Sequence, residues 1–175
     1  MNLKRTIYRA NQFWADLRAA PDSVDLEQAR MILNIDEYHL FMQLQPAERA
    51  HAMEVLHKLQ ARGAKDPELL EAALLHDIGK SLHPVRRWER VLVVLAKAIL
   101  PAHVQQWGAG DPVGWRKPFV VAEQHPAWGA GMASRAGATP LAVNLIRRHQ
   151  EALVQNPHSV EDHLLQCLQL AGDAS

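Results

Sequence analysis

At 175 residues, 48% hydrophobic and 22% charged, the chain has the size and composition of one globular domain, which excludes a long disordered tract. Nineteen Lys and Arg residues balance nineteen Asp and Glu residues, so no global field draws the protein onto a nucleic-acid polymer or an anionic membrane. The single cysteine, Cys167, excludes an internal disulfide, whereas ten histidines in a chain poor in aromatics mark where chemistry is to be sought.

Apolar residues recur at spacings of three and four throughout, which predicts an all-α fold, a single-domain helical bundle without substantial sheet. A first helix is expected over Leu3 to Ala19, stopping before Pro21. A second, capped by Ser23, covers Asp25 to Leu33, and a third covers Asp36 to Leu44. Residues 1–45 therefore read as an N-terminal helical extension packed on a core domain spanning 46–175.

Pro46 suits the first turn of a helix reaching Arg62, with Gly63 as the left-handed residue that ends it. Asp66 and Pro67 open the next helix, whose apolar run Leu69, Leu70, Ala73 and Leu74 leads to His76 and Asp77 before Gly79 breaks it. Trp88 to Leu100 forms a further helix stopped by Pro101. The stretch from Gln105 to Pro118, with three glycines and two prolines, reads as a loop and a candidate lid. Pro126 is expected to start a helix to Arg135, Thr139 and Pro140 one that runs through Glu151, and Ser159 with Asp162 to cap the last, which ends near Asp173. No N-terminal stretch has the make-up of a secretory signal, and the longest apolar run, Val91 to Leu100, is interrupted by Lys97. The expectation is a cytoplasmic protein that does not span a membrane.

The run Leu74-Leu75-His76-Asp77-Ile78-Gly79-Lys80 places two adjacent ionisable residues at the end of an apolar helix. Neighbours on a helix point about 100° apart, so they share one ion only where the helix end lets both turn inward, a freedom the sequence assigns to Gly79. Imidazole and carboxylate together suit a divalent ion such as Fe, Mn, Ni, Zn or Mg.

With His51 upstream and Asp173 far downstream, this run resembles the HD-domain superfamily of metal-dependent phosphohydrolases, whose pattern is a helix-borne His, an adjacent His-Asp pair and a distant Asp. The resemblance covers roughly Ala47 to Asp173. His125, in Gln-His-Pro-Ala-Trp-Gly-Ala, and His149, in Arg-Arg-His-Gln-Glu, further resemble the extra histidines of the branch that holds two metals. The resemblance implies a first ion held by His51, His76, Asp77 and Asp173, and a second held by Asp77, His125 and His149, with Asp77 bridging. The Gly-Tyr-Pro signature of the cyclic-dinucleotide phosphodiesterases in that branch is absent, since His149-Gln150-Glu151 runs on into Ala-Leu-Val-Gln-Asn-Pro.

The activity implied is hydrolysis of a small phosphate ester or nucleotide by a metal-activated water, with one or two divalent ions as cofactor. Asp77 and Lys80 are the expected catalytic residues, and Lys80, Arg147 and Arg148 the expected contacts to substrate. Arg86, Arg87 and Lys97 offer further cations, and Trp107 and Trp115 are candidates to cover a flat group. The alternative is an HD scaffold that binds metal or nucleotide as a signal without turnover. His39, His57, His83, His103, His158 and His163 match no motif position and are expected to be structural.

Overall fold

The computed structural model describes residues 26–172, and the expected first helix, the Ser23 cap and Asp173 lie outside them. The elements are α1 (Leu26–Ile32), α2 (Ile35–Gln43), α3 (Pro46–Ala61), α4 (Pro67–Leu75), a 3-10 turn (Ile78–Leu82), α5 (Arg87–Ile99), α6 (Pro101–Gly108), a second 3-10 turn (Gly114–Arg116), α7 (Lys117–Arg135), α8 (Pro140–Arg148) and α9 (Val160–Gly172). The fold is all-α, no strand occurs among the described residues, and no described helix is long and apolar enough to cross a membrane.

Helix ends are fixed by local chemistry. Asn34 caps α2 by accepting from the Asp36 and Glu37 amides, while Glu37 accepts from the Asn34 amide, so three backbone donors at the helix start are satisfied. Asp66 caps α4 through the Leu69 amide, Thr139 caps α8 through Ala142, and Ser159 caps α9 through Asp162. Gly63, at φ 85°, lets α3 close with the Ala64 amide donating to the Leu59 carbonyl.

The main core is built from α1 to α4 and α7 to α9 and contains Phe41, Leu56, Leu74, Leu75, Ile78, Leu145 and Leu165, all essentially inaccessible to solvent. Each such side chain contributes about 2 kcal/mol by leaving water. A smaller apolar cluster of Val93, Val104 and Phe119 joins α5 and α6 to α7.

Two expectations are corrected here. Pro126 does not start a helix: it lies inside the 19-residue α7, where it forgoes one backbone hydrogen bond in a buried position. The stretch from Gln105 to Pro118 is not an open loop, because α6 extends to Gly108 and a 3-10 turn leads into α7. Its glycines and prolines are overridden by an aromatic cluster in which Trp107 meets both Trp115 and Phe119 edge-on, and by the Gln124 side-chain amide, which donates to the Gly108 and Gly110 carbonyls. Trp107 thus packs on protein, while Trp115 meets it edge-on and stays largely exposed.

Candidate metal centre

Four helices and one turn bring the histidines together. α3 carries His51; α4 delivers His76 as its C-terminal cap; α7 carries His125 in its middle; α8 ends on His149. The chain leaves α-helical geometry at Asp77, whose φ of −98° and ψ of 3° precede the 3-10 turn. This change of winding between His76 and Asp77 turns both side chains inward. Gly79 has another task than the freedom expected of it: a Cβ there would stand 2.1 Å from the His125 carbonyl oxygen and 2.8 Å from the Gly129 amide nitrogen. Glycine at 79 lets the turn lie directly on α7, which sets His125 beside Asp77.

The Nε2 of His76 lies 3.6 Å from Asp77 Oδ2, while the Nε2 of His125 and of His149 lie 3.2 and 3.8 Å from Asp77 Oδ1. His51, His76 and Asp77 offer ligand atoms that all fall within 4.8 Å of one another, and so do Asp77, His125 and His149, with Asp77 common to both sets. The imidazoles of His51 and His149 each meet that of His76 edge-on, at 5.3 and 5.1 Å between centroids.

Which nitrogens face inward follows from the backbone. The Nδ1 atoms of His76, His125 and His149 stand 2.9, 2.8 and 2.7 Å from the carbonyl oxygens of Ala73, Val121 and Ile146. A carbonyl oxygen only accepts, so each Nδ1 carries a proton and each ring turns its Nε2 toward the centre. Among the described residues, Asp77 Oδ1, His125 Nε2 and His149 Nε2 are buried with no hydrogen-bond partner, and the 3.2 Å approach of His125 lacks hydrogen-bond geometry.

Protonation does not resolve this crowding of acceptors. Burial holds the His125 imidazole below its usual range; burial and the neighbouring His76 hold His149 well below it and bring His51 down to about 3. Burial opposes the Asp77 carboxylate, but Lys80, His76 and His125 outweigh it and keep its carboxyl well below the usual value. A buried carboxylate oxygen beside two buried ring nitrogens, those of His125 and His149, none of the three with a hydrogen-bond partner, fits a divalent cation. His51, His76, Asp77, His125 and His149 are the residues that can hold one.

Lys80 donates to Asp77 Oδ2 at 2.6 Å. Together with His51, His76, Asp77 and His149 it lines a largely polar cavity of about 330 Å³, which Lys97 and Gly172 also reach. Arg148, expected to contact substrate, instead spends its Nε, Nη1 and Nη2 donors on Glu151, Glu161 and Asp162, tying the end of α8 to α9. Arg147 is exposed, and neither arginine lines this cavity. Arg86 donates its backbone amide to Glu89 at the start of α5. Of the histidines expected to be structural, His57 bonds Gln28, His83 packs on Trp128 and His103 on Trp107.

Two groups at the site were not marked by sequence pattern. Glu48 is buried beside Lys80 and pairs with Arg90 of α5 at 2.7 Å, and Gln150 borders the centre just after His149. Glu48 reads as the capping partner of the Gln45 amide, a local role that it does fill and that hides the long-range one.

The family model for the HD domain matches residues 49–172, well over half of the chain. No curated protein and no solved structure matches the chain.

Proposed function

Since the chain belongs to the HD-domain family, we propose that it is a metal-dependent phosphohydrolase in which His51, His76, Asp77, His125 and His149 hold one or two divalent ions against a phosphate ester or nucleotide. HD domains are typically metal-dependent phosphohydrolases, and the observation that carries the reading to this chain is the buried trio of Asp77 Oδ1, His125 Nε2 and His149 Nε2, none with a hydrogen-bond partner. The two ligand groups, with Asp77 common to both, would offer places for two ions.

A divalent ion held there supplies Lewis acidity, making water a competent nucleophile near neutral pH and drawing charge from phosphate oxygens. The rest falls to the chain. The backbone carbonyls of Ala73, Val121 and Ile146 fix the three rings in one tautomer, so no ring has to reorganise when the site is filled. Asp77 supplies the buried negative charge. Lys80, at the cavity wall, places an ammonium next to the phosphate and stabilises the charge that grows on its oxygens as the P–O bond breaks. The water oxygen bonds to phosphorus, the ester oxygen leaves with a proton as the free alcohol, and phosphate remains.

The test is phosphate release from a panel of nucleotides and simple phosphate esters by protein supplied in turn with Mn²⁺, Fe²⁺, Ni²⁺, Zn²⁺ and Mg²⁺. Turnover with at least one metal, abolished by Asp77→Asn in a variant of unchanged helical content, is the expected result. Turnover that survives Asp77→Asn, or tight binding of a nucleotide that stays intact with every metal, contradicts the reading.

A further inference from the structure

Beside the polar cavity lies a second, of about 220 Å³, between α5 and α7. Lys80 and Gln150 line both, and His125 forms part of the second wall, so the two spaces meet at the centre. Their linings differ in kind. The second is walled by Val85, Val93, Val94, Pro118, Val121 and Ala122.

Each charged group in that wall already holds a protein partner, although Arg90 and Lys80 keep further N–H donors. Arg90 donates to Glu48 at 2.7 Å and to the Gln45 side-chain oxygen at 3.3 Å; Glu48 also accepts from the Gln45 amide; Lys80 is bound to Asp77. What the cavity offers a ligand is therefore mainly aliphatic surface, with Gln150 at the border. A nucleobase placed there sets most of its polar edge against valine, proline and alanine side chains, where it finds few partners. An alkyl or aryl group meets no such penalty and gains by leaving water.

We propose that this cavity is the leaving-group subsite and that the substrate is a phosphate ester of an apolar alcohol, with its phosphate at the centre and its alkyl or aryl group between α5 and α7. The inference rests on the phosphohydrolase reading and narrows its substrate class. Val93, Val94, Val121 and Ala122 are its specificity-determining residues.

The experiment measures binding rather than turnover, by calorimetry on the full-length, metal-loaded protein with non-hydrolysable ligands: methylphosphonate, hexylphosphonate, a hydroxylated phosphonate of the same length, and a nucleoside phosphonate. Hexylphosphonate is expected to bind at least about tenfold more tightly than methylphosphonate, because several methylenes are buried. The hydroxylated and nucleoside ligands are expected to lose that gain. Val94→Asn, at a position already 44% exposed, and Ala122→Phe, which fills the cavity, are each expected to abolish the gain of hexylphosphonate over methylphosphonate. Equal affinity for the methyl and hexyl ligands overturns the proposal, as do tightest binding of the nucleoside phosphonate and a hexyl gain that persists in both variants. If methylphosphonate itself fails to bind and no ester is hydrolysed, the phosphohydrolase reading falls and takes this inference with it.

Discussion

His125 Nε2 and Asp77 Oδ1 stand 3.2 Å apart, buried and unbonded, because the imidazole has already given its proton to the Val121 carbonyl. Two acceptors held that close form an unfavourable contact that a cation converts into a favourable one. The fold accepts this cost where four helices and a turn converge.

Metal binding should therefore stabilise the protein. At a free metal concentration of about 100 times Kd the gain is about 2.7 kcal/mol. For a chain of this size that raises Tm by roughly 5–10 °C. A thermal melt of chelator-treated protein with and without added Mn²⁺ checks it; His149→Ala is expected to shrink the shift.

Gly79 and Gly63 separate two reasons for glycine. Gly79→Ala forces a methyl group into the His125 carbonyl and should cost about 3 kcal/mol or more while disturbing the centre. Gly63→Ala meets nothing within 4 Å and strains only a left-handed backbone, for about 1 kcal/mol. Urea denaturation of both variants measures the contrast, and similar losses would refute the close approach of the turn to α7.

Arg148→Ala should lower stability by about 1 kcal/mol, since its three carboxylate partners are partly solvated, and should leave metal content and KM unchanged. A rise in KM with stability intact would return this residue to the substrate.

Away from the centre, Glu71 is buried on α4 near Glu37 and accepts from the Thr139 amide. Burial and the Glu37 carboxyl push its pKa up to about 8. The unfolded carboxyl releases its proton near 4.5 and the folded one near 8, so between these values the folded state binds more protons, and stability falls as pH rises. Below about pH 6.5 the depressed pKa values of His51, His125 and His149 give the opposite slope, so the loss is read from melts between pH 7 and 8, where Glu71→Gln should flatten it. An unchanged slope in Glu71→Gln would show that Glu71 is ionised in the folded state.

Much of this molecule was legible before folding. The 3.6-residue periodicity and the Asp66, Thr139 and Ser159 caps are local, and the span of α3 and the start of α4 follow from Pro46, Gly63, Asp66 and Pro67. His76 and Asp77 stood out because polar residues after Leu74 and Leu75 contradict the burial around them. What sequence missed depends on partners far along the chain. Gly79 looked like a helix breaker because α7, which it touches, lies some fifty residues on. Pro126 looked like a helix start because proline is common there, and only the surrounding core keeps α7 continuous through it. Arg148 looked like an anion site until α9 brought Glu161 and Asp162 to it.

The central claim is that side chains distant in sequence converge on Asp77 to hold a cation. Its most direct test is elemental analysis of the full-length protein purified without chelator, beside Asp77→Asn and His125→Ala prepared in the same way. At least one equivalent of a divalent transition metal in the native protein, lost in Asp77→Asn and reduced in His125→Ala, is the expected result. A native protein that carries no metal and takes up none on addition of Mn²⁺, Fe²⁺, Ni²⁺ or Zn²⁺ would contradict the account.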